Sequence, residues 1–365
     1  MKFAIAREAF LDELQVLQGI VEKRNTMPIL ANILLNVTAA DIEMTGTDLE
    51  VGLRTHLAAA IERPGAITVN GKKIFEIVKS LPAGEDVRVE LKDETIEIRA
   101  GESEFKILCL AKEDYPQVQD GKFDKGIQVG LADFQDMIDR VFYAITQEQR
   151  YYLNGALLVL KSRQVELVST DGHRLAYVKR PQEGLKVEKD TSVIVAKKTL
   201  SEIRRFEGQD LAFDYDDSNL FFKVGERTLI SRVIESKFPN YQAVIPKDNP
   251  GRLVIPREAL ADAIRRVSLL AAERSKGIKF SLEKNRLRLF SSNPEIGEAR
   301  DKLAVDYKGQ DLEIGFNAQY LLDFLTAVDT ANVLFEVKDE NSAVLLRPEG
   351  EEDVTNIYVL MPMKI

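Results

Sequence analysis

A polar two-residue mark recurs three times in this chain at nearly one interval, and that recurrence limits the folds open to it. Thr47-Asp48, Thr170-Asp171 and Ser292-Asn293 stand 123 and 122 residues apart. Each interrupts a run of alternating apolar residues: MTGTDL from Met44 to Leu49, VSTDGHRLAY from Val168 to Tyr177, and FSSNP from Phe290 to Pro294. Alternation on both sides of such a pair predicts a strand, a tight turn closed by Ser/Thr and Asx side chains, and a second strand. Pro116, Pro239 and Pro362 obey the same rule, each 123 residues from the next. Two independent marks at one period imply a triplicated unit.

The 365 residues then divide into units of 1–120, 121–248 and 249–365, each near the usual size of a domain. Every unit opens with a strand and an amphipathic helix. Phe3 to Ile5 precedes a helix over Arg7 to Val21, and Ile127 to Val129 precedes one over Leu131 to Ile145. Leu253 to Ile255 precedes a third, opened by Pro256. A pair of strands around the mark and one further strand lead to a second helix: Asn70 to Leu81, Lys197 to Phe206, and Asn317 to Val328. Hairpins such as VRVELKDETIEIRA close each unit. The fold class is therefore α+β, three tandem copies of β-α-β-β-β-α-β-β-β, joined by polar linkers near Gln119 to Lys125 and Pro246 to Gly251. Two helices and two groups of strands place both helices on one side of their sheets. Three such units form an array with an open sheet edge at each end, which invites pairing with another copy.

Charges recur through the N-terminal MKFAIAREAFLDELQ, so it has no apolar signal region, and no run is long and apolar enough to span a bilayer. The chain reads as cytoplasmic, without a membrane partner. Cys109, the one cysteine, lies in the strand-like FKILCLA and is read as a buried structural thiol. A net charge of −9 argues against nucleic acid as a partner, but only the distribution of charge decides the sign of one face. Asp171 and His173 invite a catalytic or metal reading. The only other histidine is His56, with no second ligand at metal spacing and no nucleophile motif beside it, so no catalytic group, metal or cofactor is assigned.

The triplicated layout, together with GTDLE, RYYLNG, STDGHRLA, FPNYQAVIP, IGFNAQYLLDFL and the terminal YVLMPMKI, closely resembles the bacterial sliding clamps, the beta subunits of the replicative DNA polymerase. The resemblance runs from the first residue to the last. It implies a head-to-tail homodimeric ring of six domains, sheets outside and helices inside, each chain forming half. Such a ring encircles duplex DNA without regard to sequence, tethers the polymerase and other clients, and is opened by a separate ATP-driven loader. This chain has no GxxxxGK[ST] loop of its own.

Carried over by motif, a pocket for short linear client motifs comprises Tyr152, Leu153, Thr170, Gly172, His173, Arg174 and Leu175. Pro239, Val244, Asn317, Tyr320 and Val359 complete its walls, with the tail Met361, Pro362, Met363, Lys364 and Ile365. Methionines at a chain end suit a surface that repacks around different ligands. Basic residues on or beside the presumed channel elements are Arg24, Lys72, Lys73, Lys197, Lys198, Arg204 and Arg205, and Arg150 stands beside Tyr151. No arrangement for reading bases is present, so their contacts are expected with phosphates and sensitive to salt. Phe105 and Ile107 on one edge, against Leu269 and Leu270, form the expected apolar core of the ring-closing interface. The charges around it are mixed: Glu102, Glu104 and Lys106 on one side, Glu298, Arg300, Asp301 and Lys302 on the other. Two rival readings are an enzyme built on Asp171, His173 and Arg174, and a monomeric three-domain peptide-binding scaffold.

Overall fold

The structure, a computed structural model, describes residues 1–21, 27–146, 153–185, 187 and 189–364. The first repeat contains β1 (Lys2–Ala6), α1 (Arg7–Leu17), β2 (Asn32–Val37), β3 (Ile42–Thr47), β4 (Val51–Leu57), β5 (Ala60–Arg63) and β6 (Gly65–Asn70). It ends with α2 (Gly71–Ser80), β7 (Asp86–Lys92), β8 (Thr95–Ala100) and β9 (Ser103–Leu110). The second runs β10 (Ile127–Gly130), α3 (Leu131–Phe142), β11 (Gly155–Lys161), β12 (Gln164–Thr170), β13 (Arg174–Pro181) and β14 (Thr191–Ala196). After α4 (Lys197–Ile203) come β15 (Asp210–Tyr215), β16 (Asn219–Val224) and β17 (Arg227–Arg232). The third has β18 (Gly251–Pro256), α5 (Arg257–Ser268), β19 (Gly277–Glu283), β20 (Arg286–Asn293), β21 (Gly297–Ala304) and β22 (Leu312–Asn317). It closes with α6 (Ala318–Ala327), β23 (Asn332–Val337), β24 (Val344–Pro348) and β25 (Thr355–Leu360).

The repeat is thus β-α-β-β-β-β-α-β-β-β, with one strand more between the helices than the sequence predicts, and β5 added in the first copy. The strands missed are β2, β11 and β19. GALLVLK is buried at most positions on both faces, and in NILLNV the half-buried face carries Leu34 between the buried Ile33 and Leu35, so both lack the apolar-polar alternation that betrays a half-exposed strand. Three helices also end sooner than expected. α1 stops at Leu17, not Val21, and α3 at Phe142, not Ile145, yet Ile20, Val21, Ala144 and Ile145 remain buried. A turn that dips back into the core continues the apolar spacing past the last helical residue. α4 stops at Ile203, after which Phe206 N–H donates to the Ile203 carbonyl in a tightened turn. Pro256 precedes α5 as its cap and is not its first residue.

Two compact units divide the chain, residues 1–131 with 198–233, and residues 132–197 with 234–365. In the first, thirteen antiparallel strands run in the order β10-β15-β16-β17-β4-β3-β2-β6-β9-β8-β7-β1-β5. Strands of two repeats meet within this sheet, where β4 pairs with β17 and Gly52 lies opposite Ile230. α1 packs on α2, and Phe3 meets Phe10 edge to face at 6.2 Å in the core beneath. The linker is anchored here: the buried Asp214 carboxylate accepts from Lys125 Nζ at 2.6 Å and from the Phe123 and Lys122 amides at 2.8 and 3.1 Å. Burial opposes that charge, but Lys125 and the amides outweigh it and hold the carboxyl below its usual range.

The second unit holds an eight-stranded sheet, β14-β11-β12-β13-β25-β24-β23-β18, and a four-stranded one, β21-β20-β19-β22. Here too two repeats share a sheet, with Leu175 of β13 opposite Val359 of β25. α5 packs on α6, and Phe280, Phe316 and Phe335 form a fully buried aromatic trio with centroids 5.3 to 6.0 Å apart. Cys109 is buried in the first unit and burial pushes its thiol up to about 11, as expected of a structural thiol. No helix among the described residues is long and apolar enough to cross a membrane.

Candidate functional site

The turn after β12 is built by its own side chains. Thr170 Oγ1 accepts from Gly172 N–H at 3.1 Å and donates to the Arg174 carbonyl at 2.6 Å. Asp171 Oδ1 accepts from the His173 and Arg174 amides at 2.9 and 3.1 Å. Thr47 and Asp48 make the same bonds after β3, to Leu49, Val51 and Glu50. The turn needs a left-handed residue, supplied by Gly172 at φ 91° and, in the first repeat, by Leu49 at φ 78°. The mark read in the sequence is therefore a local hydrogen-bonded device, which is why it repeats.

Arg174 is the fixed point of the site. Its side chain is 9% exposed and its guanidinium forks between Asp171 at 3.0 Å, Asp323 of α6 at 2.6 Å and the Tyr143 carbonyl at 2.5 Å. It lies 4.1 Å over the Tyr320 ring. Burial opposes the charge, but the Asp323 and Asp171 carboxylates help to offset it, and the pKa is raised above the usual arginine value. Tyr358 stacks on Phe324 at 5.1 Å, meets Tyr143 edge-on at 5.6 Å, and donates its buried hydroxyl to the Tyr320 carbonyl at 2.9 Å. One side chain thus locks β13, α6 and the turn after α3 together.

His173 stays exposed and stacks on Tyr320 with centroids 6.5 Å apart, and its carbonyl accepts from Met361 N–H at 3.0 Å. Met363 N–H donates to the Gly315 carbonyl at 2.9 Å. The tail is therefore held by backbone bonds while the Met361 side chain remains 47% exposed. Leu175 and Val359 belong to an apolar cluster with Val168, Ile194, Phe238, Leu345 and Ile357. Tyr241 seals it, stacked on Tyr177 at 5.8 Å with its hydroxyl donating to the buried Glu166 at 3.0 Å. That bond fixes the linker carrying the exposed Pro239 and Val244. Asn317 caps α6 by accepting from Gln319 N–H at 2.9 Å, and Leu153 is buried. The positions matching Glu166, Tyr177, Phe238 and Tyr241 in the first repeat are Glu43, Arg54, Tyr115 and Val118. They line a cavity of about 460 Å³ instead of a packed cluster, with Glu43 and Arg54 in its wall.

Thr170, Gly172, His173, Arg174, Leu175, Tyr320, Val359 and the tail are thus brought together. Sequence reasoning missed the supports, Tyr143, Asp323, Tyr358 and the Tyr241–Glu166 bond. Only the position of Tyr358 next to Val359 carried any signal. Arg24, Arg150, Tyr151, Tyr152 and Ile365 lie outside the described residues. No group of three or more metal-ligating side chains converges among the described residues, and His56 is paired with Asp41 at 2.7 Å.

The basic residues divide. Lys72 and Lys73 are exposed in the first turn of α2, beside Glu76 at 3.6 and 2.9 Å. Arg204 and Arg205 are exposed, Arg205 lying 3.3 Å from the buried Glu202. Lys197 donates to the Ile145 carbonyl at 3.2 Å, and burial, then Arg174, depresses its pKa. Lys198 pairs with Asp48 and donates to the Ile20 carbonyl at 3.1 Å. Phe105, Ile107 and Leu270 are half-buried, whereas Leu269 is 79% exposed.

Three family models cover the chain in order: the N-terminal domain of the DNA polymerase III beta subunit matches residues 1–119, the central domain 128–240 and the C-terminal domain 242–364. A beta sliding clamp of Pseudomonas putida is 37% identical over the whole of both chains. The crystal structure of the DNA polymerase III subunit beta from Pseudomonas aeruginosa is 34% identical and superposes with a TM-score of 0.94 over the full length of both. A sliding clamp of that organism bound to griselimycin superposes at 0.93, also at 34% identity and full coverage. The chain belongs to the family of DNA polymerase III beta subunits, the sliding clamps.

Proposed function

We propose that two copies of this chain close head to tail into a ring around duplex DNA, with domains 1–120, 121–248 and 249–365 as its six segments in two sets. The ring serves as the processivity factor of the replicative polymerase, has no turnover of its own, and works in the cytoplasm. Persistence comes from topology, so the contacts to DNA can be weak and independent of sequence. Lys72, Lys73, Arg204 and Arg205 are exposed, which suits transient phosphate contact, while Lys197 and Lys198 bond to backbone carbonyls. An ATP-driven loader from outside the chain opens the ring.

Clients bind at the Thr170–Leu175 turn. The observation that carries this reading is the frame around it: Arg174 immobilises the turn while His173, Tyr320, Val244 and Met361 keep surface available. A rigid floor with adaptable apolar walls suits short linear motifs, which then bind at roughly micromolar affinity, about −8 kcal/mol. A shared, exchangeable site of this kind lets one ring serve several enzymes in turn. Small-angle scattering over a dilution series tests the assembly: twice the 41.1 kDa chain with a central void supports it, and a monomer mass at every concentration refutes it.

A further inference from the structure

The polar linker from Pro246 to Gly251 is pinned within its own compact unit. Pro246 and Pro250 restrict the backbone near its two ends, and Asn249 Nδ2 donates to the Glu336 and Ala343 carbonyls at 3.1 Å each. Against this loop lies a cavity of about 390 Å³ whose charged lining is Lys247, Asp248, Arg252, Glu336 and Arg347. None of these side chains belongs to the client site or to the basic residues proposed to meet DNA.

Strand register builds the floor of the cavity. Arg252 of β18 stands directly opposite Glu336 of β23, and Glu336 faces Leu345 of β24 on its other side, two residues before Arg347. Arg252, Glu336 and Arg347 therefore project from one face of the sheet. Glu336 is 6% exposed, and a buried carboxylate needs compensation: Arg252 Nε approaches one of its oxygens at 3.0 Å and Arg347 Nε the other at 3.5 Å. One carboxylate cannot balance two guanidiniums, so a positive charge is left over. Lys247 adds a second, and the exposed Asp248 offsets one of the two. Donors are left over as well. Among the described residues neither guanidinium nor the Lys247 ammonium makes a hydrogen bond, and Arg347 Nε is enclosed without a hydrogen-bond partner.

We propose that this cavity binds a phosphate group carried by a small free anion, held between the Arg252 and Arg347 guanidiniums, with Lys247 as the third donor and Glu336 bracing both forks. A phosphate group offers three or four oxygens to these donors, where a carboxylate offers two. The cavity admits a small ligand, and its two carboxylates, Glu336 in the floor and Asp248 in the wall, repel an extended polyanion such as a nucleic-acid backbone. The bound anion ties Lys247 of the linker to β18 and β24, and so fastens the C-terminal end of the segment that carries Pro239 and Val244. The site is complete within one chain and needs neither ring closure nor a client.

Titration calorimetry of the full chain in chloride at fixed ionic strength tests the site, with inorganic phosphate, pyrophosphate and deoxyadenosine triphosphate in separate runs. One saturable site per chain is expected, and the anion that binds tightest identifies the source of the phosphate group. Arg252→Lys with Arg347→Lys keeps cations on the buried Glu336 but removes both forks, and Lys247→Gln removes an exposed cation with no partner among the described residues. Both variants should melt close to the wild type in chloride, and each should weaken binding about tenfold or more. Phosphate should raise the melting temperature of the wild type more than that of either variant. No saturable binding by any of the three anions overturns the proposal, as does an affinity left unchanged by the paired lysine substitutions or by Lys247→Gln.

Discussion

Replacing Arg174 with alanine should unlock the proposed client site by removing its floor. The guanidinium makes three charge-assisted or carbonyl bonds and lies over two rings, Tyr320 at 4.1 Å and Tyr143 at 5.5 Å, while 9% exposed. Its loss leaves the Asp171 and Asp323 carboxylates, 14% and 22% exposed, facing each other's vacated partner. Breaking a largely buried pair by removing one member costs about 3–5 kcal/mol, and the two aspartates retain enough contact with water to place this case at the lower end. About 3 kcal/mol is roughly a hundredfold in an equilibrium constant. Amide hydrogen exchange on β13 and α6 should therefore show protection falling by about that factor, with the four-stranded sheet unaffected. Arg174→Lys keeps the charge but not the fork, so it should recover only part of the loss. Unchanged exchange in Arg174→Ala would show that the network contributes nothing net, and the argument for a rigid floor would fail.

His173→Ala removes an exposed ring and should weaken binding of a client peptide while leaving stability within about 0.5 kcal/mol, measured by titration and by denaturant midpoint. Leu49 occupies the left-handed position that Gly172 fills in the second repeat, so Leu49→Gly should stabilise by about 0.5–1 kcal/mol, and Gly172→Ala should cost about 1–2 kcal/mol. Asp214→Asn should cost about 1–3 kcal/mol at neutral pH, allowing for the partly exposed Lys125. Because the folded pKa of Asp214 is depressed, its contribution is complete above about pH 4 and fades as pH falls through the folded value, so wild type and variant should converge in acid melts. Glu97, drawn down to about 2 by Lys92 and Lys106, adds an acid-sensitive contribution of the same sign, lost as pH falls toward 2 and removed by Glu97→Gln. If Lys72 neutralises one phosphate, Lys72→Ala should make the plot of log affinity against log salt shallower by about 0.9.

The threefold repeat was legible because its mark is made by neighbours in sequence. Thr170 and Asp171 bond to amides two and three residues away, and a local device survives in the one-dimensional string. β11 was illegible for the opposite reason, since burial on both faces erased its period, and in β2 the apolar Leu34 on the half-buried face did the same. Of the proposed client site, the Thr170–Leu175 turn and the methionine tail could be read, but not what holds them. Asp323 is 149 residues from Arg174, and on the sequence it counted only as an acidic residue on a helix expected near DNA. Likewise Lys197 and Lys198 read as free cations because the carbonyls and the aspartate that engage them are distant in the chain.

Topological retention tests the central claim most directly. The ring would be loaded onto closed circular duplex DNA, freed of excess protein, and the DNA then cut once. The account predicts that the protein stays with the circle through a high-salt wash and leaves when the circle is opened. Loss from the intact circle in salt, or retention on the linear product with free ends, would mean that surface contacts and not encirclement hold it there, and the account would be wrong.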